Sequence, residues 1–158
     1  MTAPLHGVHV VALTDTPTTA YAAHLLARLG AEVLHIALDP GADDGVDLMR
    51  ALLPTTDVVL EDCAPRVLGE AGLSVEDTRT AHPVTVWCAL KPVAGEAQAD
   101  VSTSWHAVAA ILLALHHRAT SGVAQHIDLD VAASPVPAFA GGLPAALPLR
   151  FEAPPAAV

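Results

Sequence analysis

The sequence has few basic residues. Of its 158 residues only seven are Lys or Arg, against 17 Asp and Glu, which gives a formal net charge of −10 at pH 7. Binding to nucleic acid or to an anionic membrane needs a basic patch. The six arginines are scattered and Lys91 is the sole lysine, so such a patch cannot form. We therefore expect no nucleic-acid partner and no membrane partner.

Cysteines and long apolar runs are also scarce. Cys63 and Cys88 are the only cysteines, too few for a disulfide framework and without zinc-ligand spacing, which predicts reduced thiols and no metal site. The longest tightly apolar run, residues 107–115, is much shorter than a bilayer span. The first residues lack the basic start of a signal peptide. We expect a cytoplasmic protein.

Short apolar runs alternate with segments of helical periodicity. Hydrophobic residues make up 53% of the chain and charged residues 15%, which suits one domain with a buried core. The runs predict strands at 8–13, 32–38, 57–60, 84–89 and 125–131, and the periodic segments predict helices at 21–29, 46–53, 74–82 and 102–120. This order is typical of an α/β, Rossmann-like fold, a mostly parallel doubly wound sheet of five or six strands.

Residues 1–131 form the predicted core, and residues 132–158 follow as a tail rich in Pro and Gly. The prolines and glycines of the tail are expected to break any regular element, which predicts a surface connection or a strap within the same domain. In a doubly wound sheet, ligands bind beyond the C-terminal ends of the strands. We therefore expect the crevice at the ends of the first, third and fourth strands.

Several blocks of the core resemble one family. "PLHGVHVVALT" with "YAAHLLARLGAEVLHI", then "DVVLEDCAPRVLGEAGL", then "WHAVAAILLALHHRATSGVAQHIDLDV" resemble the class III CoA-transferases. This CaiB/BaiF family includes formyl-CoA transferase and α-methylacyl-CoA racemase. The resemblance covers most of residues 4–131, and "LPLRFEAPP" is similar to the family's closing segment. Family members are more than twice as long, so the chain resembles a strongly shortened, divergent member that retains the Rossmann-like core.

The resemblance implies a catalytic carboxylate before the long helix. In the transferases an Asp at this place attacks the thioester carbonyl and forms a mixed anhydride, and the matching position here is Asp100. Glycine-rich backbone serves that chemistry in the family, whereas Ala99 and Val101 flank Asp100. A second interpretation is structural, because Asp is favoured at or before the first turn of a helix by capping and by the helix dipole.

The predicted crevice is short of cations. The family meets the charges of CoA with Arg, Lys and backbone amides, whereas Asp15, Asp39 and Asp62 follow the first three strands here and only Lys91 follows the fourth. We therefore expect no tight binding of free CoA and no required cofactor. A CoA or pantetheine thioester remains possible as substrate, because backbone amides can hold a pantetheine arm. The predicted substrate-binding residues are Thr14, Asp15, Thr16, Asp62, Cys63 and Lys91.

Other residues allow two interpretations each. Cys63 lies beyond a strand end and is either reactive or a structural thiol. The threonines at 14, 16, 18 and 19 either line a pocket or satisfy the loop backbone. His116 and His117 are adjacent and point about 100° apart on a helix. An interaction with the helix C-terminus is therefore favoured over a metal site.

The leading hypothesis is a CoA-transferase-like protein that acts on an acyl thioester or a related carbonyl substrate, free or carrier-bound. Asp100 would be the nucleophile or acid–base group, and Lys91 would hold an anionic or carbonyl group. The rival is a non-catalytic binding or assembly remnant of the family. A third hypothesis is a crevice repurposed for a non-thioester reaction in a biosynthetic pathway.

The last expectation concerns assembly. Apolar residues are spread over most of the circumference of the predicted helix at 102–120, so one sheet face cannot cover them all. The tail offers further apolar side chains, among them Phe139, Leu143, Leu147 and Leu149. We expect a homodimer in which this helix and the tail both contribute contacts.

Overall fold

A computed structural model describes residues 3–13, 16–37, 43–63, 65–91, 101–130 and 149–152. Helices follow strands along the first 130 residues in the order that the hydrophobic pattern predicts, with one further short helix, Pro65–Glu70, that the pattern did not predict. In chain order the elements are β1 His9–Leu13, α1 Pro17–Arg28, β2 Glu32–Ile36, α2 Asp43–Leu52 with a 3₁₀ turn at Leu53–Thr55, β3 Val58–Glu61, α3 Pro65–Glu70, α4 Val75–Ala81, β4 Val86–Lys91, α5 Val101–Ser121, β5 His126–Asp130 and β6 Leu149–Glu152.

The strands form one sheet in the order β2-β1-β3-β4-β5-β6. The first five strands pair in parallel, and β6 pairs antiparallel with β5. The predicted doubly wound, mostly parallel α/β sheet is therefore confirmed. Its order for β1 to β5 is the flavodoxin-like one of the two common doubly wound orders, and the direction of winding reverses between β1 and β3.

Two apolar layers cover the sheet because side chains alternate along each strand. From β1, Val10 and Ala12 pack in the layer that contains α1 and α5. Val11 and Leu13 point to the other face, where α2, α3 and α4 pack. A strand buried on both faces reads as a continuous apolar run, which is why β1 was recognisable in the sequence.

The first helix begins earlier than its periodicity indicates. The sequence places residues 14–19 in a turn and starts the helix at Tyr21, whereas α1 starts at Pro17. Thr16 caps it with a hydroxyl that accepts a hydrogen bond from the backbone N–H of Thr19. Pro at the first helical position lacks an N–H that would have no partner there. The Thr-Pro pair is thus a helix start, not a loop.

The end of α1 matches the sequence interpretation. Gly30 follows the helix with φ +100°, as expected of a left-handed residue that closes a helix. A Cβ at Gly30 would lie 2.3 Å from the Cβ of Ala3. Both the backbone angle and the close contact therefore require glycine.

Part of the tail adopts a regular structure that the sequence analysis did not predict. Leu149–Glu152 form β6, paired from Leu149 opposite Leu129 to Glu152 opposite His126. Pro148 directly precedes the strand, and proline is tolerated at an edge strand or just before one. The expectation that prolines exclude regular structure was wrong for these four residues. Phe139, Leu143 and Leu147 lie outside the described residues.

The long helix α5 packs one side on the sheet. Ala107, Val108, Ala110, Ile111 and Ala114 are buried in the layer shared with α1. Within the described part of the chain, no helix is long and apolar enough to cross a membrane.

Candidate functional site

The described polar residues of the predicted crevice lie at the C-terminal edge of the sheet. The strands β1, β3, β4 and β5 are parallel, so their C-terminal ends lie along one edge. Helix α1 begins at the same edge beside α5, since Ser104 Oγ donates to the carbonyl oxygen of Thr18 at 2.8 Å. Thr16, Asp62, Cys63 and Lys91 all lie at this edge, as predicted.

Thr16, which follows β1, and Asp62, which follows β3, are hydrogen-bonded to each other. The winding of the sheet reverses between these two strands. Asp62 Oδ2 accepts hydrogen bonds from the Thr16 hydroxyl at 2.6 Å and from the Thr16 backbone N–H at 3.1 Å. Asp62 is only 7% exposed. This oxygen therefore fixes the start of α1 against the end of β3, and a substrate-binding role for either residue stays a prediction.

Cys63 adds a second tie between the same two chain segments. Its half-buried thiol donates to the carbonyl oxygen of Leu13 at 3.7 Å, and its backbone N–H donates to Glu61 Oε2 at 2.8 Å. Cys88 is fully buried, and burial raises the pKa of its thiol above the usual range. Of the two cysteines, Cys63 is the one whose thiol is partly exposed and can contact a ligand.

Lys91 is the cation at this edge that the sequence singles out. It ends β4, and its Nζ lies 2.8 Å from Asp128 Oδ2 on the neighbouring strand. The lysine side chain is 60% exposed and the aspartate side chain 20%. Lys91 is thus partly neutralised by Asp128 while its ammonium group remains accessible to a small anionic or carbonyl group.

Glu61 is a buried carboxyl group that the sequence analysis missed. It is the last residue of β3 and only 4% exposed. Its Oε1 accepts a hydrogen bond from Trp87 Nε1 at 3.5 Å. The strand register places Ala89 between Glu61 and Asp128, so two carboxyl groups flank one small residue on the same face of the sheet.

Burial raises the pKa of Glu61 from 4.5 to about 7, and the nearby negative charges of Asp62 and Asp128 add to this rise. The hydrogen bonds from Trp87 and the Cys63 N–H oppose it. Glu61 can therefore exchange a proton near neutral pH, which is a property of acid–base groups in functional sites. The sequence signal was available: an acid that directly ends an apolar strand.

Thr103 is a second residue without a sequence prediction. It is fully buried in the first turn of α5, and its Oγ1 has no hydrogen-bond partner among the described residues. An unsatisfied buried hydroxyl costs about 1–3 kcal/mol. Thr14, Asp15 and Asp100 lie outside the described residues, so their predicted roles stay predictions.

A cavity of about 390 Å³ lies at the opposite, N-terminal edge of the sheet. The described residues that were predicted for the site do not line it. Its walls come from β1, β2 and the end of α2 with the turn after it: His9, Val10, Val11, Glu32, Val33, Leu34, Leu52, Thr55 and Thr56.

Comparisons with known proteins bear on the resemblance. No family model matches the chain. It is 24% identical to a succinate–glutarate CoA-transferase from Agrobacterium fabrum over 201 aligned positions, which cover 80% of this chain and 50% of that protein. A CaiB/BaiF family protein from Brucella suis matches its structure with a TM-score of 0.74 and 23% identity, over 87% of this chain and 56% of that one. The resemblance to the CaiB/BaiF family is confirmed.

A hypothetical protein from Mycobacterium tuberculosis has the same fold, with a TM-score of 0.69 and 20% identity over 83% of this chain and 56% of that one. This chain therefore spans about half the length of these proteins that it matches. The alignment with the curated transferase is longer than the 158 residues of the chain. The transferase thus carries inserted residues inside the matched region.

Proposed function

We propose that this chain is a CoA-transferase-like protein that acts on an acyl thioester or a related carbonyl substrate at the C-terminal edge of its sheet. The sequence similarity to a succinate–glutarate CoA-transferase over 80% of the chain carries the proposal. In the proposed reaction a carboxylate oxygen of Asp100 attacks the thioester carbonyl and the C–S bond breaks. The thiolate leaves and then attacks the Asp100 carbonyl of the mixed anhydride, which releases the donor carboxylate and leaves a thioester on Asp100. The acceptor carboxylate displaces the thiolate from that thioester to form a second mixed anhydride, and the thiolate then attacks the acceptor's carbonyl, which gives the new thioester and restores the Asp100 carboxylate.

The charges at the C-terminal edge of the sheet limit which substrates can bind there. Lys91 offers one exposed ammonium group, which can hold a carboxylate or a carbonyl oxygen. Asp128 pairs with that cation, and Glu61 and Asp62 add carboxyl groups at the same edge, where the charges of Asp62 and Asp128 act on Glu61. A polyanionic nucleotide is repelled by such a surface on a chain of net charge −10. A thioester on a pantetheine arm, with the nucleotide absent or held outside, fits better than free CoA.

The test is a trapping experiment with acyl-CoA and acyl-pantetheine. Hydroxylamine converts a mixed anhydride on Asp100 to a hydroxamate, which intact-protein mass spectrometry detects. We expect the adduct in the wild type and in Asp47→Asn, which changes an exposed carboxylate on α2, and no adduct in Asp100→Asn. Lys91→Ala should raise KM more than it lowers kcat. Equal turnover by Asp100→Asn would remove Asp100 from the mechanism.

One observation favours the non-catalytic alternative, a binding or assembly protein. The contacts of Thr16 with Asp62 and of Cys63 with Leu13 join the segments after β1 and β3, where doubly wound proteins hold their ligands. A thermal-shift assay with CoA, acyl-CoA and pantetheine discriminates the two. A ligand at 100 times its Kd stabilises by about 2.7 kcal/mol. No shift with any of them, together with a stable complex with another protein, supports the alternative.

A further inference from the structure

The cavity at the N-terminal edge of the sheet has no part in the proposed acyl transfer. Its volume of about 390 Å³ lies in the range that is usual for small-molecule sites, about 300–1,000 Å³. Strand β1 starts at this edge with His9 and ends with Leu13, which Cys63 contacts at the opposite edge. The five residues of β1 separate the two edges by roughly 13 Å at about 3.3 Å per residue. A ligand in the cavity would therefore bind apart from the acyl substrate.

One side of the cavity is apolar. Val11 of β1 and Leu34 of β2 are partners in the strand register, so they point to the same face of the sheet. Leu52, at the end of α2, lies over this face. Val11 is only 3% exposed, whereas Leu34 on the edge strand is 43% exposed. These three side chains therefore offer an accessible surface for the apolar part of a ligand.

The polar groups of the cavity are mainly hydrogen-bond acceptors. Glu32 begins β2, and its carboxylate side chain is 69% exposed. The hydroxyls of Thr55 and Thr56 both donate to the carbonyl oxygen of Leu52, at 3.1 and 2.9 Å. Because each hydroxyl has a single proton, these oxygens can only accept from a ligand. The cavity therefore suits a ligand that presents N–H donors.

The charges at this edge favour a cation. His9 Nε2 lies 3.6 Å from Glu32 Oε2, and His9 Nδ1 lies 3.9 Å from Asp57 Oδ2. Asp57 is already engaged, because Arg118 Nη2 lies 2.8 Å from its Oδ1 and the backbone N–H of His9 donates to its Oδ2. The contact of 3.6 Å between His9 and Glu32 is longer than a good hydrogen bond. Glu32 is therefore the carboxylate of this edge that a ligand can bind.

We propose that the cavity at the N-terminal edge binds a small organic ammonium ion, a protonated primary amine with an apolar body about the size of a phenyl ring. Its three N–H groups and positive charge match Glu32 and the acceptor oxygen of Thr55. Its apolar body packs on Val11, Leu34 and Leu52. An organic anion of the same size is disfavoured by Glu32 and by the net charge of −10. This inference does not depend on the proposed acyl transfer.

An NMR titration of the isotope-labelled protein tests the proposal with two probes of similar size and opposite charge, phenethylammonium and hydrocinnamate. The amide signals of Val11, Leu34 and Leu52 should shift with phenethylammonium, with a Kd in the millimolar range or below, as is usual for so small a ligand. Hydrocinnamate should bind at least about tenfold more weakly. Equal binding of the two probes, no shift at about 10 mM phenethylammonium, or shifts confined to Cys63 and Lys91 at the opposite edge would overturn the proposal.

Two pairs of variants test the place and the charge of the site in the same titration. Glu32→Gln should weaken phenethylammonium binding about tenfold, whereas Glu76→Gln, at an exposed glutamate on α4, should leave it unchanged. Leu34→Trp should fill the cavity and abolish binding. Leu48→Trp is its control, because Leu48 is 46% exposed on α2 and does not line the cavity. Undiminished binding in Glu32→Gln or in Leu34→Trp would refute the site, and the amide spectrum shows whether each variant is folded. Acyl-transfer activity is not a readout in either experiment.

Discussion

The buried carboxyl group of Glu61 makes the stability of this protein depend on pH. Its pKa is about 7 in the folded chain, against 4.5 as the ordinary value, chiefly because the group is buried. Below about pH 4.5 both the folded and the unfolded chain keep the proton. Between pH 4.5 and about pH 7 the folded chain holds a proton on Glu61 that the unfolded chain has released. The free energy of unfolding therefore falls as the pH rises toward 7 and then levels off.

The size of this effect follows from the two pKa values. They differ by about 2.5, which corresponds to about 3 kcal/mol in the free energy of unfolding. About 2 kcal/mol of it falls between pH 5.5 and pH 8.5. Glu61→Gln removes the titration and keeps one amide oxygen, which can accept from either the Trp87 or the Cys63 N–H group, since these two bonds go to different oxygens of Glu61.

Urea unfolding at both pH values measures the difference. The stability of Glu61→Gln relative to the wild type should rise by about 2 kcal/mol from pH 5.5 to pH 8.5. Glu76→Gln, which changes an exposed glutamate on α4, should show no comparable change. A pH-independent difference for Glu61→Gln would show that Glu61 does not hold a proton at neutral pH, and the reasoning from burial would fail.

Trp87 offers an independent readout, because its indole N–H contacts the Glu61 carboxyl. The protein has two tryptophans, so Trp105→Phe leaves Trp87 as the sole tryptophan. Its fluorescence should titrate with a midpoint near the pKa of Glu61, about 7. The titration should disappear when Glu61→Gln is added. A titration that persists in the double variant would assign the midpoint to another group.

Two further substitutions test local contacts by urea unfolding. Thr16→Val removes both the helix cap and the hydroxyl that donates to Asp62, and should lower the free energy of unfolding by about 1–2 kcal/mol. Thr55→Val, which loses one exposed hydrogen bond, should lower it less. Equal losses for the two variants would contradict the capping role of Thr16. Gly30→Ala should destabilise by more than about 1 kcal/mol because of its positive φ. Gly69→Ala, within α3, should be neutral or stabilising, because a Cβ at Gly69 would meet no atom outside its own helix within 4 Å.

The sequence by itself determined the succession of elements. A strand covered on both sides leaves a continuous apolar run, as in β1, and a left-handed closing residue leaves a glycine, as at Gly30. These signals are local, because each depends on neighbours within a few residues. The helix start at Thr16 and Pro17 was equally local and could have been predicted from helix-capping preferences.

Only the tertiary structure decided which side chains meet at the candidate site. Thr16 and Asp62 are 46 residues apart in the chain, and Glu61 and Trp87 are 26 apart. Their contacts exist because β3 pairs between β1 and β4, an order that no local pattern encodes. The proton affinity of Glu61 likewise depends on what buries it, and burial is a property of the assembled layers rather than of the residue type.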